Sequence, residues 1–381
     1  MTADLNPAEL LRYSRHLMLP EVGLEGQRKL KAASVLVVGT GGLGSPIALY
    51  LAAAGVGRLG LVDDDVVDVS NLQRQILHSS AATGRPKVES ARTRLADLNP
   101  EIEIVPYHTR LTSQNAMDIA AGYDIIVDGT DNFPTRYLLN DLCVLTGKPY
   151  IYGSIYRFDG QMSVFDARSG PCYRCLFPAP PPPHLAPTCA DGGVLGILPG
   201  TIGSLQATET IKLILGAGSP LIGKLLLYDA LDLSFQQVSL RKNPHCKVCS
   251  AEPEITGLID YEDFCHLKPA DPAAQAALEV TPAELAARLA GANPPRLIDV
   301  REPVEQQVST IAGAELIPYG QILAQTVELD PQAEMVFFCR TGIRGMRVVE
   351  NLVSRGFCRV ASLRGGINAW AREVDPAVRQ Y

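Results

Sequence analysis

The chain has no excess of positive charge: its 381 residues hold 34 Lys plus Arg against 41 Asp plus Glu, a formal net charge of −7. This balance argues against electrostatic binding of nucleic acid or of an anionic membrane. Also missing is any stretch close to the roughly 18 uncharged apolar residues of a membrane span. Met1 to Leu11, with Asp4 and Glu9, lacks the apolar core of a signal peptide. The protein is expected to be soluble and cytoplasmic, with no nucleic-acid or membrane partner. No internal repeat is visible. Nine cysteines, an odd number without an export signal, make a disulfide scaffold unexpected and leave metal or redox chemistry. Hydrophobic residues at 46% and charged residues at 20% exclude a disordered or fibrous chain. The length is a prior for two or three domains.

Ser34 to Gly39 reads as a buried strand, Leu43 to Gly55 as a helix and Arg58 to Asp63 as a second strand, which makes one βαβ unit. Lys87 to Leu98 is helical in pattern, Ile102 to Tyr107 extended, Ser113 to Ala121 helical, and Asp124 to Asp128 an apolar strand ending in acid. The alternation predicts an α/β fold, a Rossmann-like doubly wound sheet with helices on both faces. After Pro149 come extended segments, a Pro-rich run at 178–183 that reads as a stiff exposed connector, and an amphipathic stretch from Ile202 to Leu215. Residues 251–277 lack a sustained period and read as a linker between a first domain, 1–250, and a smaller α/β domain, 278–381. The second domain opens on Thr281-Pro282, a helix cap followed by proline. Leu297 to Val300 and Met335 to Phe338 are its expected strands.

Gly39-Thr40-Gly41-Gly42-Leu43-Gly44 follows a strand and opens a helix, the context in which such a loop brings backbone N–H groups to phosphate. Asp63, at the end of the next strand, stands where an acid reaches a ribose hydroxyl. Loop and acid alone would favour NAD or FAD. Ser70-Asn71-Leu72-Gln73-Arg74-Gln75, Lys87 and Asp131-Asn132 add the cations and carboxylates that a triphosphate and its magnesium need.

With Arg12-Tyr13-Ser14-Arg15, Asp63-Asp64-Asp65 and Gly129-Thr130-Asp131-Asn132, these motifs resemble the MoeB/ThiF/ubiquitin-activating family over about residues 8 to 250. The resemblance implies ATP-dependent adenylation of the C-terminal glycine of a small ubiquitin-like sulfur-carrier protein, with ATP and Mg2+ in the cleft. A carboxylate nucleophile is ionised at neutral pH, so no general base is needed. Catalysis would come from alignment and from charge neutralisation by Arg74, Lys87 and magnesium, with Asp131 at the metal. Taken alone, Arg15 is a helix-surface charge. The resemblance implies instead that it reaches the nucleotide of a partner subunit, which makes a homodimer part of each site.

Cys172-Tyr173-Arg174-Cys175 and Cys246-Lys247-Val248-Cys249 are two CxxC pairs whose spacing suits a closed, structural zinc site. Redox dithiols are the competing reading, disfavoured because neither pair is expected to open a helix after a strand. Cys189 follows the Pro-rich run and is either an incidental loop thiol or a nucleophile. Thr188 to Gly196 resembles the crossover-loop cysteine motif of family members fused to sulfurtransferase domains, which implies a role in handling the acyl intermediate. Cys143, Cys265 and Cys358 read as core or incidental.

Cys339-Arg340-Thr341-Gly342-Ile343-Arg344 lies between a strand and a helix, where backbone N–H groups can cradle an anion and stabilise a thiolate. With Leu297 to Glu302 and Leu363 to Trp370, it resembles the rhodanese active site over Val280 to Glu373. The resemblance implies a persulfide on Cys339. Arg340 and Arg344 are expected to add positive charge for an anionic donor such as thiosulfate, or for a persulfide donor. A silent rhodanese fold is the alternative, although Cys339 is present. Together the halves imply adenylation followed by sulfur transfer to a C-terminal thiocarboxylate. An activating enzyme passing a Cys189 thioester, an oxidoreductase and a non-turnover scaffold are the competing readings. The pathway served, whether molybdopterin, thiamine, cysteine, thiolated tRNA or a secondary metabolite, stays open.

Overall fold

A computed structural model describes residues 4–181, 193–265 and 276–380. The chain forms two compact units, Met1–Leu267 and Lys268–Tyr381. In the first, eight strands form one sheet: β1 (Ser34–Val38), β2 (Arg58–Val62), β3 (Glu103–Tyr107), β4 (Ile125–Asp128), β5 (Tyr150–Tyr156), β6 (Asp159–Phe165), β7 (Lys224–Asp229) and β8 (Ser234–Ser239). Their order is β3-β2-β1-β4-β5-β6-β7-β8. The pairings from β3 to β5 are parallel and the remaining three antiparallel. The chain order reverses between β1 and β4, and ligands of such sheets bind beyond the strand C-termini at that point.

β1 is apolar on both faces because both faces are covered. Val35 and Val37 pack with Ile47 and Leu51 of the helix Gly44–Ala54. Leu36 and Val38 pack with Leu138 and Leu142 of the helix Phe133–Thr146. Residues of parallel strands buried on two sides read as continuous apolar runs, which is the pattern of Val35 to Val38.

Three expectations need correction. The helix expected over Ile202 to Leu215 runs Leu198–Leu215, with Pro199 in its first turn where no N–H is required. The helix expected over Ser113 to Ala121 shrinks to Ala116–Ala120, because Asn115 turns its side chain back to accept from Thr112 N at 2.8 Å and to donate to Arg110 O at 2.9 Å. Within the stretch read as linker, Leu258, Ile259, Tyr261, Phe264 and Cys265 pack into the first unit's core. Their anchor is Arg174, which pairs bidentately with Asp141 at 2.7 and 2.8 Å. Its guanidinium lies 4.4 Å from the Phe264 ring centroid, and Tyr261 Oη donates to the same Asp141 at 2.9 Å.

The second unit is an all-parallel five-stranded sheet of β9 (Glu279–Val280), β10 (Arg296–Asp299), β11 (Glu315–Leu316), β12 (Met335–Phe338) and β13 (Val360–Leu363), in the order β11-β10-β12-β13-β9. Its helix Pro282–Leu289 starts on a capping box in which Glu284 N donates to Thr281 Oγ1 at 3.2 Å and Thr281 N to Glu284 Oε2 at 2.8 Å.

Candidate active sites

The glycine loop closes the C-terminal end of β1 because three glycines let backbones meet there. Gly39 has φ +87°, and a Cβ on Gly44 would lie 1.9 Å from the Gly39 carbonyl oxygen. A Cβ on Gly129, after β4, would come within 2.5 Å of the same atom. Gly44 thus serves the close approach of helix and strand rather than lining the cleft. Every peptide among the described residues is trans, so each carbonyl points opposite to the following N–H. The Thr40 carbonyl accepts from His78 Nε2 at 2.9 Å and the Gly41 carbonyl from Ser45 N at 3.0 Å and Ser45 Oγ at 2.7 Å. The N–H groups of Gly41 and Gly42 therefore point away from the protein interior, and neither has an acceptor among the described residues.

These amides face a cleft of about 270 Å³ lined by Gly39, Gly41, Gly42, Asp63, Asn71, Arg74, Lys87, Asp131 and Asn132. Asp63 Oδ2 accepts from both Thr40 N (2.8 Å) and Thr40 Oγ1 (2.9 Å). Lys87 is buried and pairs with the exposed Asp65 at 2.8 Å. Arg74 Nη2 donates to Asn71 Oδ1 at 2.9 Å. Asn132 caps the helix Phe133–Thr146 by accepting from Thr135 N at 2.9 Å, and Asp131 is exposed beside it.

Ser70, Leu72, Gln73 and Arg15 do not line this cleft. Ser70 is held by Asp68 at 2.8 and 2.5 Å, Gln73 packs against Gly196, and Arg15 is exposed on the four-residue helix Ser14–Leu17.

Sequence motifs did not single out Thr109, Arg110, Leu111, Thr135 and Ile155, which also line the cleft. They come from segments distant in the chain and follow no local pattern. Gln75 was read as the last residue of the Ser70 to Gln75 motif, without a role of its own. It is buried at the cleft wall, and its Oε1 has no hydrogen-bond partner. Two unpartnered amides and two cations on one cleft fit a phosphate-bearing nucleotide.

The four cysteines of the two CxxC pairs converge, with all Sγ atoms within 4.8 Å of one another. The separations are 3.8 Å for Cys172–Cys175 and 3.5 Å for both Cys172–Cys246 and Cys175–Cys249. Four thiolates about 2.3 Å from one zinc stand about 3.8 Å apart, so the donor set fits a zinc knuckle. Contrary to expectation, Cys172 does cap a helix, the single turn Tyr173–Leu176. The convergence of two distant pairs, rather than the surrounding secondary structure, is what separates this site from a redox dithiol. Cys189 lies outside the described residues.

In the second unit Cys339 directly follows β12 and is 1% exposed. Gly342 N donates to its Sγ at 3.2 Å. The carbonyls of Cys339 and Arg340 accept from Ile367 N (2.9 Å) and Asn368 N (3.2 Å), which turns the N–H groups of Arg340 and Thr341 the other way. Gly366 makes this possible, since a Cβ there would lie 2.3 Å from the Cys339 oxygen. Arg344 does not simply lend its charge to the loop. It is buried in a bidentate pair with Glu305, at 2.8 and 2.6 Å, so its guanidinium is already matched by a carboxylate 39 positions away.

Residues 13–248 match the ThiF family, and residues 281–373 the rhodanese-like domain. The chain belongs to the ThiF family. Along its whole length this ThiF–rhodanese chain is 49% identical to the Mycobacterium tuberculosis probable adenylyltransferase/sulfurtransferase MoeZ, covering 99% of this chain and 96% of that protein. It is 46% identical to the Aedes aegypti adenylyltransferase and sulfurtransferase MOCS3, over 99% and 90% of the two chains. Among solved structures, that of E. coli MccB with MccA-N7isoASN shares the fold at TM-score 0.57 and 23% identity, covering 64% of this chain and 75% of that one. Among the described residues no helix is long and apolar enough to cross a membrane.

Proposed function

We propose that the ThiF unit adenylates the C-terminal glycine of a small ubiquitin-like sulfur carrier and that Cys339 then supplies sulfur to make a thiocarboxylate. The observation that carries the first step is the convergence of the Gly41 and Gly42 amides, Arg74 and Lys87 on one cleft. The carrier carboxylate oxygen bonds to the α-phosphorus of ATP and pyrophosphate leaves. Asp131, exposed and lining the cleft, would hold Mg2+, which would offset phosphate charge. The loop amides, Arg74 and Lys87 hold the phosphate oxygens and offset their charge.

In the second step the outer sulfur of the Cys339 persulfide bonds to the acyl carbon and AMP leaves. A second thiol, for which Cys189 is the candidate within this chain, attacks the resulting acyl disulfide. The carrier departs as a thiocarboxylate, and a disulfide remains for an external thiol to reduce. The persulfide forms from thiosulfate with loss of sulfite, or from a persulfide donor with loss of its thiolate. The four-cysteine cluster would hold zinc with no open position, a structural role.

In this reading Arg15 acts across a homodimer on the partner subunit's nucleotide, which its exposure and its absence from its own chain's cleft support. The test is pyrophosphate release on mixing the full-length chain, ATP, Mg2+ and a Gly-Gly-tailed carrier. Release that needs the carrier and falls at least about tenfold in Arg15→Ala, with the dimer retained, supports the reading. Carrier-independent release contradicts it. Cys189→Ser is expected to keep pyrophosphate release and lose thiocarboxylate. A full thiocarboxylate yield would remove Cys189 from the mechanism.

A further inference from the structure

His78 belongs to none of the motifs discussed above, yet it is buried directly behind the glycine loop. Its Nε2 lies 2.9 Å from the Thr40 carbonyl oxygen and its Nδ1 3.1 Å from Ser90 Oγ. A carbonyl can only accept, so Nε2 carries the proton. In the neutral ring Nδ1 is then an acceptor, and the Ser90 hydroxyl donates to it. Burial holds the imidazole below its ordinary range, against the pull of the Thr40 bond, and the Lys87 ammonium acts in the same direction as burial. That direction favours the neutral ring, with which this hydrogen-bond pattern is consistent.

Each end of the ring holds one part of the cleft. Thr40 is held at both of its flanking peptides: its N–H and hydroxyl reach Asp63, and its carbonyl, in the peptide shared with Gly41, accepts from His78. Because that peptide is trans, fixing the Thr40 carbonyl fixes the direction of the Gly41 N–H, one of the two unpartnered amides facing the cleft. At the other end, Ser90 lies one turn after Lys87 on the helix Lys87–Leu98. His78 thus spans the loop that offers amides to phosphate and the helix that delivers the buried ammonium.

We propose that His78 is a positioning residue of the nucleotide cleft: through Thr40 it aims the Gly41 amide, and through Ser90 it sets the helix that carries Lys87. The proposal rests on the reading of this cleft as an ATP site. Neither ring nitrogen touches the nucleotide in this account, so its effect falls on how ATP is held.

The test uses the full-length chain with His78→Phe, which keeps the ring volume but neither hydrogen bond, and His78→Gln, whose carboxamide can still donate to Thr40. Ser90→Ala and the His78→Phe/Ser90→Ala double variant complete a cycle. ATP binding is followed by titration calorimetry, and pyrophosphate release is followed with a Gly-Gly-tailed carrier. His78→Phe is expected to weaken ATP binding and raise the KM for ATP by roughly tenfold, the scale of one lost buried hydrogen bond. Its kcat should change less, and His78→Gln should recover most of the loss. The Ser90→Ala effect should be smaller and should vanish in the His78→Phe background. Persulfide formation on Cys339 should stay at the wild-type level, which reports an intact second unit.

ATP affinity within twofold of wild type in His78→Phe would overturn the proposal. Equal losses in the Phe and Gln variants would overturn it too, since only packing would then be at stake. Wild-type protein that binds ATP and releases no pyrophosphate would sink the adenylation reading while leaving the His78 comparison intact. Wild-type protein that binds no ATP would sink both.

Discussion

At the scale of single residues, side chains that look alike in sequence do different work. Arg74 and Lys87 line the glycine-loop cleft, whereas Arg344 is spent on Glu305 and Arg174 on Asp141. Sequence reading identified Arg344 as a loop cation because it ends the Cys339 motif. Its partner, 39 residues away on a different helix, has no local signature. Breaking a largely buried pair by removing one member leaves an unmatched charge, so Glu305→Ala should cost about 3 kcal/mol, whereas the Glu305→Ala/Arg344→Leu double variant should cost less. Hydrogen exchange of the helix Ile343–Ser354 in the full chain measures both. Equal protection in Glu305→Ala and wild type would contradict the clamp.

His78 was equally illegible, since a lone histidine in a polar stretch carries no pattern and its role lies in contacts 12 and 38 positions away. Its depressed basicity carries a pH signature. As pH falls through the ordinary histidine range near 6.5 the unfolded chain gains a proton that the folded ring resists, so stability declines. The thermal midpoint of wild type should therefore drop more steeply between pH 7.5 and 5.5 than that of His78→Phe. Parallel slopes would show that His78 titrates alike in both states.

Among elements, the strand–loop–helix junctions were the most legible. The glycine loop, the Cys339 loop and the Thr281 cap are contiguous motifs whose chemistry fixes their conformation. The CxxC pairs were legible as pairs, but only the fold brings Cys172 and Cys246 to 3.5 Å. Leu258, Ile259, Tyr261 and Phe264 escaped notice because a short irregular segment shows no periodicity, even when Arg174 and Asp141 hold it against the core. The knuckle and this segment share a strut, since Arg174 lies between the two cysteines of the first pair. Removing zinc with a chelator should therefore loosen both, lowering the thermal midpoint by roughly 6 to 12 °C for about 3 kcal/mol lost in a unit of this size. Calorimetry with and without chelator checks this, and an unchanged midpoint would contradict a structural metal.

For the molecule as a whole, the two units carry two halves of one reaction. An acyl-adenylate is exposed to water until a nucleophile consumes it, and tethering a persulfide to the same chain raises its effective concentration. The 49% identity to MoeZ across nearly the whole of both chains joins the same two halves in the same order. The most direct test is the intact mass of a Gly-Gly-tailed carrier after incubation with the full-length chain, ATP, Mg2+, thiosulfate and a reducing thiol. Cys339→Ala serves as the control. The account predicts a sulfur-for-oxygen mass increase that requires both ATP and Cys339. An increase that persists in Cys339→Ala, or none at all while pyrophosphate is released, would contradict it.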